Sequence, residues 1–179
     1  MSTPFSFLKF NPRSLAGLAH WFSADYGVTL DGSGRAASVL DQSGNNRTLS
    51  GQGGGGAGTG QNPSMVAAAQ AGRPGFGFTA LLQSFFNYTG FNPGNTFMAL
   101  AVLKGVDAVH NCNCWTAAGA VNHQIVCSSS NGGINCYDGT NLVNSHAQDL
   151  STKFGLVEVA LNAGTMSAWY NGVSLAMTT

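Results

Sequence analysis

The sequence predicts an all-β, antiparallel protein, and three observations predict it. Convincing amphipathic helices are absent from the 179 residues. Short apolar segments recur about every 8–12 residues, with turn signals between them. One of these segments, Leu156-Val-Glu-Val-Ala-Leu, alternates strictly, so Val157, Val159 and Leu161 face one way and Glu158 the other. The expected core is built from alternating inward positions of two sheets, as in an antiparallel β-sandwich.

Taken in order, the chain opens with Phe5, Phe7 and Phe10 ahead of Pro12, and residues 1–13 read as an N-terminal arm. Leu15 to Phe22 is apolar and is open between a strand and a short turn of helix. Asp31-Gly-Ser-Gly is turn chemistry, Ala36 to Leu40 a short strand, and Asp41-Gln-Ser-Gly-Asn-Asn again a turn. Residues 51–60 hold seven glycines in ten positions. They contain G-x-G-x-x-G at Gly51, Gly53 and Gly56. No clear strand leads into that motif, no clear helix follows, and the Gly-Lys-Ser/Thr ending of a phosphate loop is missing. The reading is a flexible surface loop.

From residue 73 the chain reads as consecutive strands: Phe76 to Phe78, Ser84 to Tyr88, and Thr96 to Leu103. The last is apolar on both parities, which predicts a central strand covered on both faces. Cys112 to Thr116, His123 to Cys127 and Ile134 to Tyr137 follow, separated by Gly- and Ser-rich turns. Met166 to Tyr170 pairs back on Leu156 to Leu161. Asn171-Gly172 is a strong two-residue hairpin signal, and Val173 to Met177 returns.

Composition narrows the function. The length suits one domain with a core of its own. Seven Lys and Arg balance seven Asp and Glu, and only 8% of residues are charged, against about 25% in an average domain. Nucleic-acid binding needs clustered Lys and Arg and is not expected. No run of about 18 apolar residues exists, so membrane insertion is not expected either. Low charge at net zero favours association. The N-terminus lacks a basic region followed by an apolar core and cleavage site, so the expectation is cytosolic synthesis with reduced thiols. A virion protein meets that condition and still ends up outside a cell.

Two segments carry a family resemblance. The first is Leu18-Ala-His-Trp-Phe-Ser-Ala-Asp25, then Val28-Thr-Leu-Asp-Gly-Ser-Gly34, then Asp41-Gln-Ser-Gly-Asn-Asn46. The second is Leu156-Val-Glu-Val-Ala-Leu161 with Gly164-Thr-Met-Ser-Ala-Trp-Tyr-Asn-Gly-Val173. Together they resemble the concanavalin A-like, laminin-G-like jelly-roll domains of bacterial and phage type, over roughly residues 14–177. The resemblance implies a jelly-roll sandwich over residues 14–179, carrying the Gly-rich loop at 51–60. Its motifs are structural turns, so they specify fold better than function. Family members usually continue past this hairpin with further strands. The chain stops at Thr179, so the final strands are expected to be missing, either because the sequence is a fragment or because another chain completes the sheet edge.

Glycoside hydrolases of this architecture need paired carboxylates. Glu158 is the only glutamate, and the six aspartates are dispersed. No serine sits in a Gly-x-Ser-x-Gly elbow, and His20, His110, His123 and His146 are scattered. The expectation is no enzyme, no catalytic residue and no resident cofactor. Calcium is the ligand the resemblance implies, with Asp25 and Asp41 as its positions; their alternative role is capping turns. Trp21 and Trp169 read as core anchors and Trp115 as lying on the opposite strand parity from Cys112 and Cys114. The four cysteines, Cys112, Cys114, Cys127 and Cys136, form a potential cluster. A turn at Gly119-Ala120 places Cys112 opposite Cys127, and one near Asn131-Gly132 places Cys136 opposite Cys127. Free thiols, a disulfide such as Cys112–Cys127, and a zinc site with His110 or His123 all stay open.

The expectation is therefore a non-enzymatic structural or surface protein of a virion, a phage capsid decoration or tail-fibre component. Its expected partners are other virion proteins or copies of itself in a homo-oligomer, with a cell-surface glycan as a further contact. The alternative is a carbohydrate-binding or adhesion module of a longer protein at a cell surface.

Overall fold

The computed structural model describes residues 12–53, 60–78, 84–87, 96–104, 111–117, 123–128, 133–137, 142–145, 153–163 and 165–175. The protein is all-β, and every strand pairing is antiparallel. A single 3-10 turn, Pro12–Ser14, is the helical element among the described residues. The chain forms two compact units, Met1–Thr89 and Gly90–Thr179.

In the first unit, β1 (Val28–Leu30), β2 (Ala36–Leu40), β3 (Thr48–Gly53) and β6 (Ser84–Asn87) form one sheet in that order. A separate hairpin pairs β4 (Ser64–Gln70) with β5 (Arg73–Gly77). Ala36, Val39 and Pro63 are fully buried. The rings of Phe76 and Phe78 meet Phe86 edge-on, at centroid distances of 4.8 and 5.7 Å, an arrangement aromatic quadrupoles favour. The turn at 31–34 and the strand at 36–40 match the sequence reading. Residues 15–23 instead form neither strand nor helix.

The glycine-rich stretch needs a correction. Residues 51–53 belong to β3, and 54–59 lie outside the described residues. A Cβ on Gly51 would collide with the carbonyl oxygen of Ala36, and one on Gly53 with the backbone of Gly60 and Gln61. Close backbone approach, rather than looseness or phosphate binding, explains these two glycines. They also hid β3 from the sequence reading, because glycine is depleted in strands. The β4–β5 hairpin was hidden for a related reason: its turn is Ala71-Gly72, both at positive φ, and only the glycine signals it.

In the second unit, β14 (Val173–Ser174), β13 (Thr165–Tyr170), β12 (Gly155–Asn162) and β7 (Thr96–Leu103) form one sheet. A four-stranded meander pairs β8 (Asn111–Ala117), β9 (His123–Ser128), β10 (Gly133–Tyr137) and β11 (Leu142–Ser145). Along β12, Val157, Val159 and Leu161 are buried and Glu158 is not, as the alternation requires. Val157, Val159, Ala168 and Leu175 make the core, with Ala99, Leu103, Met166 and Tyr170 against it. The Asn171-Gly172 turn has φ of 49° and 78°, the left-handed pair that a type I′ hairpin demands.

Two expectations fail here. Strand β7 is not covered on both faces: Met98, Leu100 and Val102 are exposed, and among the described residues β7 is the last strand of its sheet. Trp169 is not a core anchor. Ala168 is the buried residue of that pair, so its neighbour Trp169 falls on the other face, opposite Glu158.

Candidate functional site

The segment from Leu18 to Ser23 makes no sheet ladder, so its backbone groups need other partners. The Asp41 turn supplies them. Asp41 is buried, and its Oδ1 accepts from the N–H of Trp21 at 2.9 Å and of Ser43 at 2.8 Å. Its Oδ2 accepts from Ser43 Oγ at 2.6 Å. The Gln42 N–H donates to the Trp21 carbonyl at 2.8 Å. Asn45 Nδ2 donates to the carbonyls of Leu18 and Ala19 at 3.2 and 3.0 Å. Arg47 reaches the Ala19 carbonyl at 3.3 Å and His20 Nε2 at 2.8 Å. The two segments singled out in the sequence, 18–25 and 41–46, are thus halves of one side-chain-to-backbone clamp.

This clamp sets the protonation states around it. Burial pushes the Asp41 carboxyl up, but the bonds from Ser43 and from the Trp21 and Ser43 N–H groups outweigh it, with His20 adding to them, and its pKa ends below the usual value. Burial first, and then the Arg47 guanidinium, hold the His20 pKa down against the pull of Asp41. Because arginine can only donate, the Arg47 contact calls for His20 Nε2 as acceptor, which the neutral imidazole provides; protonated on acidification, His20 becomes the cation that favours the Asp41 carboxylate.

A cleft opens on the clamp. Arg13, Trp21, Tyr26 and Gln42 line a cavity of about 340 Å³, near the lower end of the ~300–1,000 Å³ typical of ligand pockets. Arg13 Nε donates to the Gln42 carbonyl at 2.6 Å. Gln42 is 7% exposed, and its buried Nε2 has no hydrogen-bond partner among the described residues. Tyr26 is 59% exposed, and Trp21 is half-buried rather than the core anchor expected of it. Two aromatic side chains, Arg13 and Gln42 therefore line one opening. Sequence reasoning missed Gln42 and Tyr26, because a glutamine inside a polar turn reads as solvated.

The proposed calcium positions are otherwise engaged. Asp41 binds the clamp. Asp25 accepts from Ser23 Oγ and pairs with Arg73 NH1 at 2.6 Å. The Ser23 hydroxyl above all, helped by Arg73, holds the Asp25 pKa below its ordinary value. Among the described residues no three His, Cys, Asp or Glu side chains group as metal ligands, and no helix is long and apolar enough to cross a membrane. Asp31 caps its own turn, accepting from the N–H of Ser33 and Arg35 at 2.8 and 2.9 Å and from Asn62 Nδ2 at 2.8 Å.

The second unit offers a different surface. On β7, Met98, Leu100 and Val102 are 56%, 56% and 63% exposed. Register places Ala160, Glu158 and Leu156 opposite them on β12, all half-buried, and Trp169 beyond Glu158. The result is an apolar row along β7 with the Glu158 carboxylate beside it.

The cysteines fall on the meander. Cys112 lies opposite Cys127, as expected. Cys136 lies opposite Ile125, and Ile134 opposite Cys127, so Cys136 is two positions off its expected place because the ladder closes at Ser128 and Gly133. A bulge between Asn113 and Trp115 shifts the β8 register, and Trp115 lies opposite Ile125. Simple alternation from Cys112, which separated Trp115 from it, does not carry across that bulge. His123 opens β9, whereas His110 and His146 lie outside the described residues, as do Phe5, Phe7 and Phe10.

These features define an antiparallel all-β protein with a cleft bordered by two aromatic residues on one unit and, on the other, an exposed apolar strand that ends its sheet among the described residues. Comparison of the chain with protein-family models, curated proteins and solved structures gave no match.

Proposed function

We propose that this chain is a non-enzymatic structural or surface protein of a virion-type assembly, working by contact with copies of itself. The observation that carries the reading is the exposed row Met98, Leu100 and Val102 on an eight-residue strand that ends its sheet among the described residues. Burying one such side chain completely is worth about 1.5–3 kcal/mol. Natural proteins usually blunt an edge strand with Lys, Pro or a bulge, because such a strand is a template for pairing with another chain. Residues 96–103 carry neither Lys nor Pro, and their ladder with β12 runs unbroken. A second copy fits this edge, since net charge is zero and copies repel little. The finer fold in this reading is the concanavalin A-like jelly roll, supported by the resemblance of residues 18–46 and 156–173; the virion setting rests on the same resemblance.

Sedimentation velocity of the full chain over a concentration series tests the reading. Self-association that Leu100→Lys abolishes, with the thermal melt unchanged, supports it. A wild-type monomer throughout the series overturns it.

A carbohydrate-binding module is the second reading, and the Trp21, Tyr26 and Gln42 cleft favours it. Aromatic faces such as those of Trp21 and Tyr26 stack on pyranose rings. On a glycan array, binding that survives EDTA and is lost in Tyr26→Ala supports a metal-free sugar site; no binding with or without EDTA removes it.

A further inference from the structure

Four cysteines allow six pairings, and the strand register separates them. Cys112 and Cys127 are directly opposite across the β8–β9 ladder. Directly opposed residues of antiparallel strands have Cα atoms about 4.5 or 5.5 Å apart, depending on the hydrogen-bonding class of the pair. Both spacings fall within the roughly 4.4–6.8 Å that a disulfide spans. Cys127 and Cys136 are diagonal, since Ile134 takes the place opposite Cys127; diagonal neighbours sit about 7–8 Å apart. Strands β8 and β10 flank β9 on opposite sides, which keeps Cys112 and Cys114 at least about 9–10 Å from Cys136 at two inter-strand spacings, and Cys112 further still because it is level with Cys127 rather than Ile125. Cys114 falls in the bulge and has no directly opposed residue. Cys112 and Cys114 share one strand, where two positions span about 6.8 Å, the far limit of the window.

We propose that Cys112 and Cys127 are a disulfide-forming pair that closes when the protein meets a small-molecule disulfide, and that Cys114 and Cys136 remain thiols. The thiolate of one member attacks a sulfur of the small disulfide, forming a mixed disulfide and releasing one small thiolate. The thiolate of the other member then attacks the protein sulfur of that mixed bond and releases the second. Two protein thiols are oxidised, one external disulfide is reduced to two thiols, and each small thiolate takes up a proton lost by a cysteine. The bond would tie β8 to β9 beside the bulge, where the ladder is locally interrupted. It is independent of the assembly reading, since the meander is a different sheet from the one bearing β7.

The test is thiol counting on the full folded chain after equilibration with oxidised glutathione, using iodoacetamide alkylation and intact mass. Wild type is expected to carry two alkyl groups instead of the four it carries under reductant. The double variant Cys114→Ser, Cys136→Ser is expected to carry none, and Cys112→Ser, Cys127→Ser to keep two. A Cys114/Cys136 double variant that keeps both thiols free overturns the proposal. So does a glutathione adduct persisting on Cys112 or Cys127, because it shows that the partner cannot reach it. The first double variant retains both proposed partners, so the result does not depend on the fold tolerating their loss.

Discussion

Asp41 has both carboxylate oxygens occupied, and all its partners lie in the clamp. Asp41→Ala strands the N–H groups of Trp21 and Ser43 together. Hydrogen bonds to a charged group are worth about 1.5–3 kcal/mol each, and losses within one network overlap, so the expected cost is on the order of 3 kcal/mol in urea unfolding. The same residues give an acid dependence with a definite sign. Unfolded, His20 protonates near 6.5, while the fold keeps it neutral to lower pH. Between those values the unfolded chain holds the extra proton, so stability falls as pH drops below 6.5. Asp41 acts in the same direction at lower pH. Its folded pKa lies below 3.8, so its contribution is full above that value and disappears as pH falls through the folded pKa. Melting temperature is expected to decline in two stages on acidification, and His20→Gln is expected to remove the upper stage.

The hairpin of β12 and β13 shows how a turn residue serves an element. Asn171 sits at φ 49°, tolerable for asparagine and costly for most side chains. Its Oδ1 accepts from the Leu156 N–H at 2.9 Å, and its own N–H donates to the Leu156 carbonyl at 2.9 Å. One residue therefore fixes the turn and anchors the strand that carries Val157 and Val159. Asn171→Ala loses the side-chain bond and the conformational tolerance together. We expect a loss of about 1–2 kcal/mol by denaturant melting, whereas Asn171→Gly, which keeps the tolerance, loses less. This turn was legible in the sequence because Asn-Gly is a local signal. Strand β4 was not, because nothing local distinguishes Ala71-Gly72 from other Ala-Gly pairs in this chain.

For the whole molecule, scarcity of charge sets the solution behaviour. Exposed ion pairs weaken as salt shortens the screening length, whereas apolar burial does not. Among the described residues Arg73–Asp25 is the ion pair, and it lies at the surface. Self-association through Met98, Leu100 and Val102 is thus expected to persist or strengthen between 50 mM and 500 mM sodium chloride, measured by sedimentation (both concentrations about those of ordinary low- and high-salt buffers). Association that collapses over this range would point to charge instead.

Local chemistry alone determined that the protein is antiparallel and all-β, where several strands begin and end, which face of β12 is buried, and that Cys112 meets Cys127. Each of these depends on period-two alternation or on a turn within a few residues. Only the tertiary structure decided that β7 ends its sheet among the described residues, that Trp169 faces away from the core, that Gly51 and Gly53 sit against neighbouring backbone, and that Gln42 lines a cleft with Arg13, Trp21 and Tyr26. Those outcomes depend on which distant segment arrives beside a residue. An apolar strand reads the same along the chain whether its second face is covered or bare.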